Sequence, residues 1–298
     1  MDDPNITTTL DAEAEAAPPI RYRPIRGLYA GQNHARALAA ALAPLGGSGL
    51  VFPRALAKAV RASTACPGPA VVNQDARWFF ARSAIVWTNP RHLTWRLHDA
   101  VHDGRRDLRL RAWFVDAGDW TDVVTPVKRL AEHRETLELV RFGRNYPDMP
   151  TFQRMLKRAN EGRPMPRYGS RLDSEEKIHA YFRYFLRLIE SIRNSGFRPQ
   201  EEMPRSWWPS GFGVRGIHAF HQREIGAAVD ANGRLLRFLG GRHRTAIAQA
   251  LNLPAVPVEI RFVHADWLAA EAARTGLDPA RALQAWAKRV SVPGSYPS

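Results

Sequence analysis

The sequence predicts an α+β fold in which a helix-rich N-terminal region precedes a small C-terminal domain built on a mixed sheet. Two observations predict it. From Glu224 to Phe262, short apolar runs alternate with turn signals and one short helical pattern. Upstream, apolar residues recur at helical spacing, most clearly at Ile178, Phe182, Phe185, Ile189 and Ile192.

The elements follow in order. Residues 1–20 are mostly Asp, Glu, Ala and Pro without periodicity, the composition of a mobile tail. An Ala/Leu pattern predicts a helix over 34–45, closed by Gly46-Gly47, and Pro53 opens a second through Val60. Between Val71 and Trp87 the apolar clusters fit strand and helix equally. Leu108, Leu110, Ala112 and Phe114 alternate with Arg109, Arg111 and Trp113, the period of a half-buried strand, and Asp116-Ala117-Gly118-Asp119 ends it. Val123–Leu139 reads as helical, with Pro126 early, and Gly162–Gly169, holding two prolines, reads as a linker. Asp173 with Glu176 forms a capping pattern for the long amphipathic helix, which Gly196 closes. Pro199, Pro204 and Pro209 then interrupt regular structure, so Trp207-Trp208 falls in a loop.

From Glu224 the pattern is denser. Ile225–Val229 and Arg234–Leu239 read as two strands of a hairpin turning at Asp230-Ala231-Asn232-Gly233. A helix follows over His243–Leu251. Val256, Val258, Ile260 and Phe262 alternate with Pro257, Glu259 and Arg261 as another strand, and Trp267 opens a helical end. These readings divide the chain into a tail (1–20), an N-terminal α+β region of unassigned role (21–165), a connecting helix (170–196), a compact domain (197–270), and a C-terminal helix and tail (271–298).

The net charge of +14 over 298 residues points toward anionic partners. Its weight is reduced because only five of 43 basic residues are lysines, a bias that G+C-rich coding also produces, and because the arginines are scattered rather than blocked. Nucleic acid is therefore not the favoured partner. Cys66 is the single cysteine, so no internal disulfide and no Cys-based zinc site is available. No apolar run approaches the ~18 residues of a membrane span, which leads to the expectation of a cytoplasmic protein with no membrane partner. His98 and His102 have one-turn spacing but no third ligand, so no metal site is assigned. The patterns of P-loop, dinucleotide-fold and hydrolase sites are missing from the sequence.

The stretch richest in chemistry is Gly240-Gly241-Arg242-His243-Arg244-Thr245, between a strand and a helix. Two glycines permit a tight turn and a close backbone approach to a ligand, and the helix start offers unpaired N–H groups with partial positive charge. Arg242, His243, Arg244 and Thr245 add side-chain donors, so phosphate is the natural guest.

With its following helix and the Pro-introduced strand Ala255-Val256-Pro257-Val258, this box resembles that of the ParB/sulfiredoxin superfamily. The resemblance covers roughly Arg215 to Trp267. It implies a ParB/sulfiredoxin-like domain that holds ATP or a related nucleotide, with Mg2+, by its phosphates at Gly240 to Thr245. Arg242 stands where sulfiredoxins place their cysteine, and Gly240 where the free-serine kinases carry Asp, so a base would come from elsewhere: Glu224 first, Asp230 second. The expectation is an ATP-dependent phosphotransferase acting on a small hydroxylated acceptor, with Glu224 and His243 catalytic. A non-catalytic nucleotide-gated binding protein with nucleic-acid contacts is the alternative.

Overall fold

The computed structural model describes residues 48–62, 71–102, 107–167, 170–198 and 224–293. The expected tail at 1–20, the helix at 34–45 and the Trp207-Trp208 loop lie outside the described residues. Within them the chain is a mixed α/β structure. Its elements are α1 (Ser48–Arg61), α2 (Asn73–Phe80), β1 (Ile85–Thr88), β2 (Trp95–Leu97), β3 (Ala100–His102), β4 (Asp107–Arg109), β5 (Val115–Asp116), β6 (Val124–Pro126), α3 (Ala131–Phe142) and α4 (Pro150–Asn160). There follow β7 (Met165–Arg167), β8 (Ser170–Leu172), α5 (Glu175–Ser195), β9 (Ile225–Val229), β10 (Leu235–Arg237), α6 (Arg242–Ala250), β11 (Val256–His264), α7 (Ala265–Thr275) and α8 (Pro279–Val290).

The main sheet runs β1-β11-β9-β10-β2-β6, with β5 beside the far end of β11. β11 pairs parallel with β9 and antiparallel with β1, while β10 returns antiparallel on β9 and runs parallel to β2. β1, β2, β5 and β6 thus share one sheet with β9, β10 and β11, while β3 and β4 pair separately. Asp230 makes the β9–β10 turn: its Oδ1 accepts from the backbone N–H groups of Asn232 and Arg234 at 2.9 and 2.8 Å.

Apolar side chains cover both faces. Ile225, Ala227, Val229, Val256, Val258 and Ile260 belong to one cluster with α1, α5, α7 and α8, while Ala228, Leu236, Phe238 and Phe262 join Leu97, Trp113 and Trp120 in another. The register of β11 shifts between Ile260 and Phe262, which moves Phe262 onto the second face, where it stacks on Trp120 at 5.1 Å. A bulge changes the phase of side-chain alternation in this way. The strand expected at 256–262 runs from Val256 to His264 and is buried along its whole length despite its alternating pattern. Its charged positions are held internally: Glu259 pairs with Arg77 at 2.7 Å and with Arg261 at 2.6 Å.

Other expectations change for local reasons. The strand expected over 108–114 stops at Arg109 and tightens into a 3-10 turn over Leu110–Ala112, because Leu110, Trp113 and Phe114 are all buried, a spacing that strict alternation cannot satisfy. The helix expected from Val123 begins at Ala131. Pro126 stands in the edge strand β6 opposite Trp95, where a missing N–H costs no central ladder bond. The expected linker at 162–169 includes β7, paired antiparallel with β8. The second helix starts at Ser48, ahead of Pro53. For α5 the cap is Ser174, whose side chain accepts from Lys177 N–H at 3.3 Å, while Asp173 bonds the Lys177 ammonium at 2.7 Å. Its buried stripe of Ile178, Phe182, Phe185, Ile189 and Ile192 is as the periodicity predicts.

Candidate functional site

Between β10 and α6 the backbone is left-handed at Leu239, Gly240 and Gly241 (φ 54°, 69° and 72°). Glycine is needed at Gly241 on a second ground, since a Cβ there would lie 2.9 Å from Ile225 Cα. The same closeness governs Gly226, where a Cβ would sit 2.0 Å from the Phe238 carbonyl oxygen and 2.1 Å from that of Leu239. β9 and the box are therefore in backbone contact, joined by Gly226 N–H to Leu239 O at 3.1 Å and Phe238 N–H to Gly226 O at 2.7 Å. Arg261 clamps this junction, donating from Nη1 to Leu239 O and from Nη2 to Glu224 O, each at 3.0 Å. α6 then starts after the N-cap Gly241, with no side-chain cap on its first turn.

The predicted donors divide sharply. His243 is buried and stacked on Phe185, with ring centroids 3.8 Å apart and planes 15° from parallel. Its Nε2 lies 3.4 Å from the Tyr181 hydroxyl, which donates a short hydrogen bond to Glu135, itself paired with Arg167 at 3.1 Å. Burial holds the imidazole down to about 3, with Arg242 adding to the effect and Glu132 opposing it, so the ring is neutral at physiological pH. Thr245 is fully buried and its hydroxyl donates to Gly241 O at 2.9 Å, back along its own helix.

Arg244 turns inward. Its Nη2 donates to Glu224 Oε2 at 3.1 Å and to Arg198 O at 2.7 Å, and its guanidinium carbon sits 4.4 Å from the Phe197 ring centroid. Both members of the Glu224–Arg244 pair are buried. Glu224 is thus an ion-pair partner within the core of the box, and Asp230 is the acceptor that shapes the β9–β10 turn and pairs with Arg234 at 2.7 Å. Arg242 is the donor that stays outside, its side chain 47% exposed and its Nη1 bonded to Glu132 Oε1 at 2.6 Å.

The structure adds residues that sequence reasoning missed. Arg237, the last residue of β10, is 4% exposed and donates from Nη1 to Gly240 O at 3.2 Å. Among the described residues no acceptor meets its Nε and no carboxylate pairs with it. Arg237 stands opposite Arg96 in the parallel β10–β2 ladder. Arg96 bonds Thr125 Oγ1 at 3.1 Å, and one of its Nη atoms lies 3.1 Å from His98 Nε2. Burial first, and then the neighbouring Arg242 and Arg96, push Arg237 down to about 9, and burial with Arg242 pushes Arg96 down to about 10. Burial and Arg96 hold His98 down to about 4. The guanidinium groups of Arg237 and Arg96, both still charged at neutral pH, thus lie within electrostatic reach of Arg242, Glu132 and Asp99. Like charges held this close in low dielectric create a field that an anionic guest relieves.

The cluster sits where strands β2 and β10 end side by side and α6 begins, so strand ends, helix N-terminus and arginines converge on one place. Among the described residues no group of three or more His, Cys, Asp or Glu is placed to hold a metal ion. No helix of the described residues is long and apolar enough to cross a membrane. Compared with protein-family models, with curated proteins and with solved structures, the chain matches none of them.

Proposed function

We propose that this chain binds a nucleotide through its phosphates at the start of α6, using the uncapped N–H groups after Gly240-Gly241 and the guanidinium groups of Arg96, Arg237 and Arg242. The observation that carries the reading is Arg237: a charged side chain, nearly fully buried, directed at the box and without a carboxylate partner among the described residues. A buried charge of this kind is costly unless something pairs with it, and a phosphate supplies both the charge and the acceptor atoms. The order strand, double glycine, helix, strand supports the likeness to a ParB/sulfiredoxin-like domain, and Arg242 of the box keeps a phosphate-facing role in this reading.

Binding without phosphoryl transfer is the form of the function that the geometry favours. Glu224 is engaged by Arg244, and His243 lies stacked in the interior, so neither presents a basic atom to an acceptor hydroxyl. Magnesium would travel with the phosphate oxygens, as it commonly does at nucleotide sites.

The test is thermal stability of the full chain with ATP, ADP, CTP and GTP in the presence of magnesium, alongside release or transfer of labelled phosphate from ATP. A ligand of the folded state raises its stability, by about 2.7 kcal/mol at 100 times the dissociation constant. A rise with one or more nucleotides, absent in Arg237→Met, supports the reading. No rise with any of them overturns it, and turnover that survives washing and is lost with Glu224→Gln restores the phosphotransferase alternative.

A further inference from the structure

Glu132 occupies an unusual place. It sits in the first turn of α3, its side chain is 22% exposed, and its Oε1 takes the guanidinium of Arg242, the most exposed arginine of the cluster, at 2.6 Å. It also lies within electrostatic reach of Arg237 and Arg96. Arg242 and the neighbouring Arg167 hold its carboxyl below the usual range against the opposing pull of burial, so it is ionised. Glu132 is therefore an internal anion at the mouth of an anion site.

We propose that Glu132 sets the ligand class of this site, admitting polyphosphate groups and excluding simple carboxylates and other monoanions. The inference rests on the nucleotide-phosphate reading above. A tethered carboxylate competes with any guest at a high effective concentration. A monoanion reaching Arg242 replaces one carboxylate bond with another and gains nothing over Glu132. A pyrophosphate group carries more charge and can accept from the Arg242 and Arg96 guanidinium groups together while the buried charge of Arg237 attracts it from behind. Only such a guest offers enough new bonds to displace Glu132. The exchange moves no covalent bond: Arg242 releases Glu132 Oε1 and takes a phosphate oxygen.

The test measures dissociation constants of the full chain for pyrophosphate, orthophosphate and acetate by calorimetry at one pH and one ionic strength. Wild type, Glu132→Gln, Glu132→Ala and Arg237→Met are compared. The expected result is that wild type prefers pyrophosphate to acetate, and that Glu132→Gln narrows this preference about tenfold or more by gaining affinity for acetate and orthophosphate. Tenfold corresponds to about 1.4 kcal/mol. Glu132→Ala supplies the same readout should the glutamine variant fail to fold. An unchanged preference in both Glu132 variants, with pyrophosphate binding lost in Arg237→Met, overturns the role of Glu132 and leaves the phosphate site standing. Absence of pyrophosphate binding in wild type and in both Glu132 variants overturns the two together.

Discussion

His243 lies flat against Phe185, ring centroids 3.8 Å apart, and this contact converts a box residue into part of the packing between α6 and α5. The imidazole is held neutral, down to about 3 from an ordinary 6.5, chiefly by burial. The unfolded chain binds a proton at this residue below about pH 6.5 that the native chain refuses, so stability attributable to His243 falls as the pH drops. The slope is about 1.4 kcal/mol per pH unit between the two values. Urea denaturation between about pH 7 and about pH 5 should show the gap between wild type and His243→Gln narrowing as pH falls; a constant gap would mean that the ring is not excluded from protonation.

Arg237→Met should separate function from stability. Removing a buried guanidinium that has no carboxylate partner among the described residues relieves its desolvation, while the bond to Gly240 O is lost. The expected net effect on the ligand-free protein is a gain on the order of 1–2 kcal/mol. The same variant should show no thermal shift with nucleotides. A strongly destabilised Arg237→Met would indicate that the charge is structural.

Gly226→Ala tests the closeness of β9 to the box. The added Cβ would meet two backbone carbonyl oxygens at 2.0 and 2.1 Å, neither of which can rotate away. A loss of about 3 kcal/mol or more is expected, with a clear drop in the urea midpoint. An alanine tolerated here would show that the Phe238 and Leu239 backbone yields.

The buried pair Glu224–Arg244, 3.1 Å apart, should behave as a coupled unit. Glu224→Gln or Arg244→Met alone leaves a buried charge behind and should cost about 3–5 kcal/mol. The double variant should cost less than the sum of the two, by about 1–3 kcal/mol in a double-mutant cycle. Strict additivity would show that the two side chains stabilise the box separately.

Much of the local structure was legible in the chain. The amphipathic stripe of α5, the β9–β10 hairpin with its Asp230 turn, and the strand–glycine–helix order of the box all arise from contacts within a few residues, where periodicity and turn chemistry act directly. Long-range packing was not legible. Pro126 reads as an early helical residue until β2 supplies its partner strand, and the alternation of β11 hides a strand covered on both faces because the ion pairs burying Glu259 come from Arg77 and Arg261.

The sequence by itself determined that paired glycines would precede α6, and the helix does start after Gly241 without a side-chain cap. Only the tertiary structure decided which side chains gather around that helix start. Arg244 and His243, adjacent to the glycines in sequence, point into the core because α6 buries that face against α5 and the end of β9. Arg96 and Arg237, 141 positions apart, meet because β2 lies parallel to β10. Charge follows from composition, but the field at a site follows from which charges packing brings together and which it neutralises.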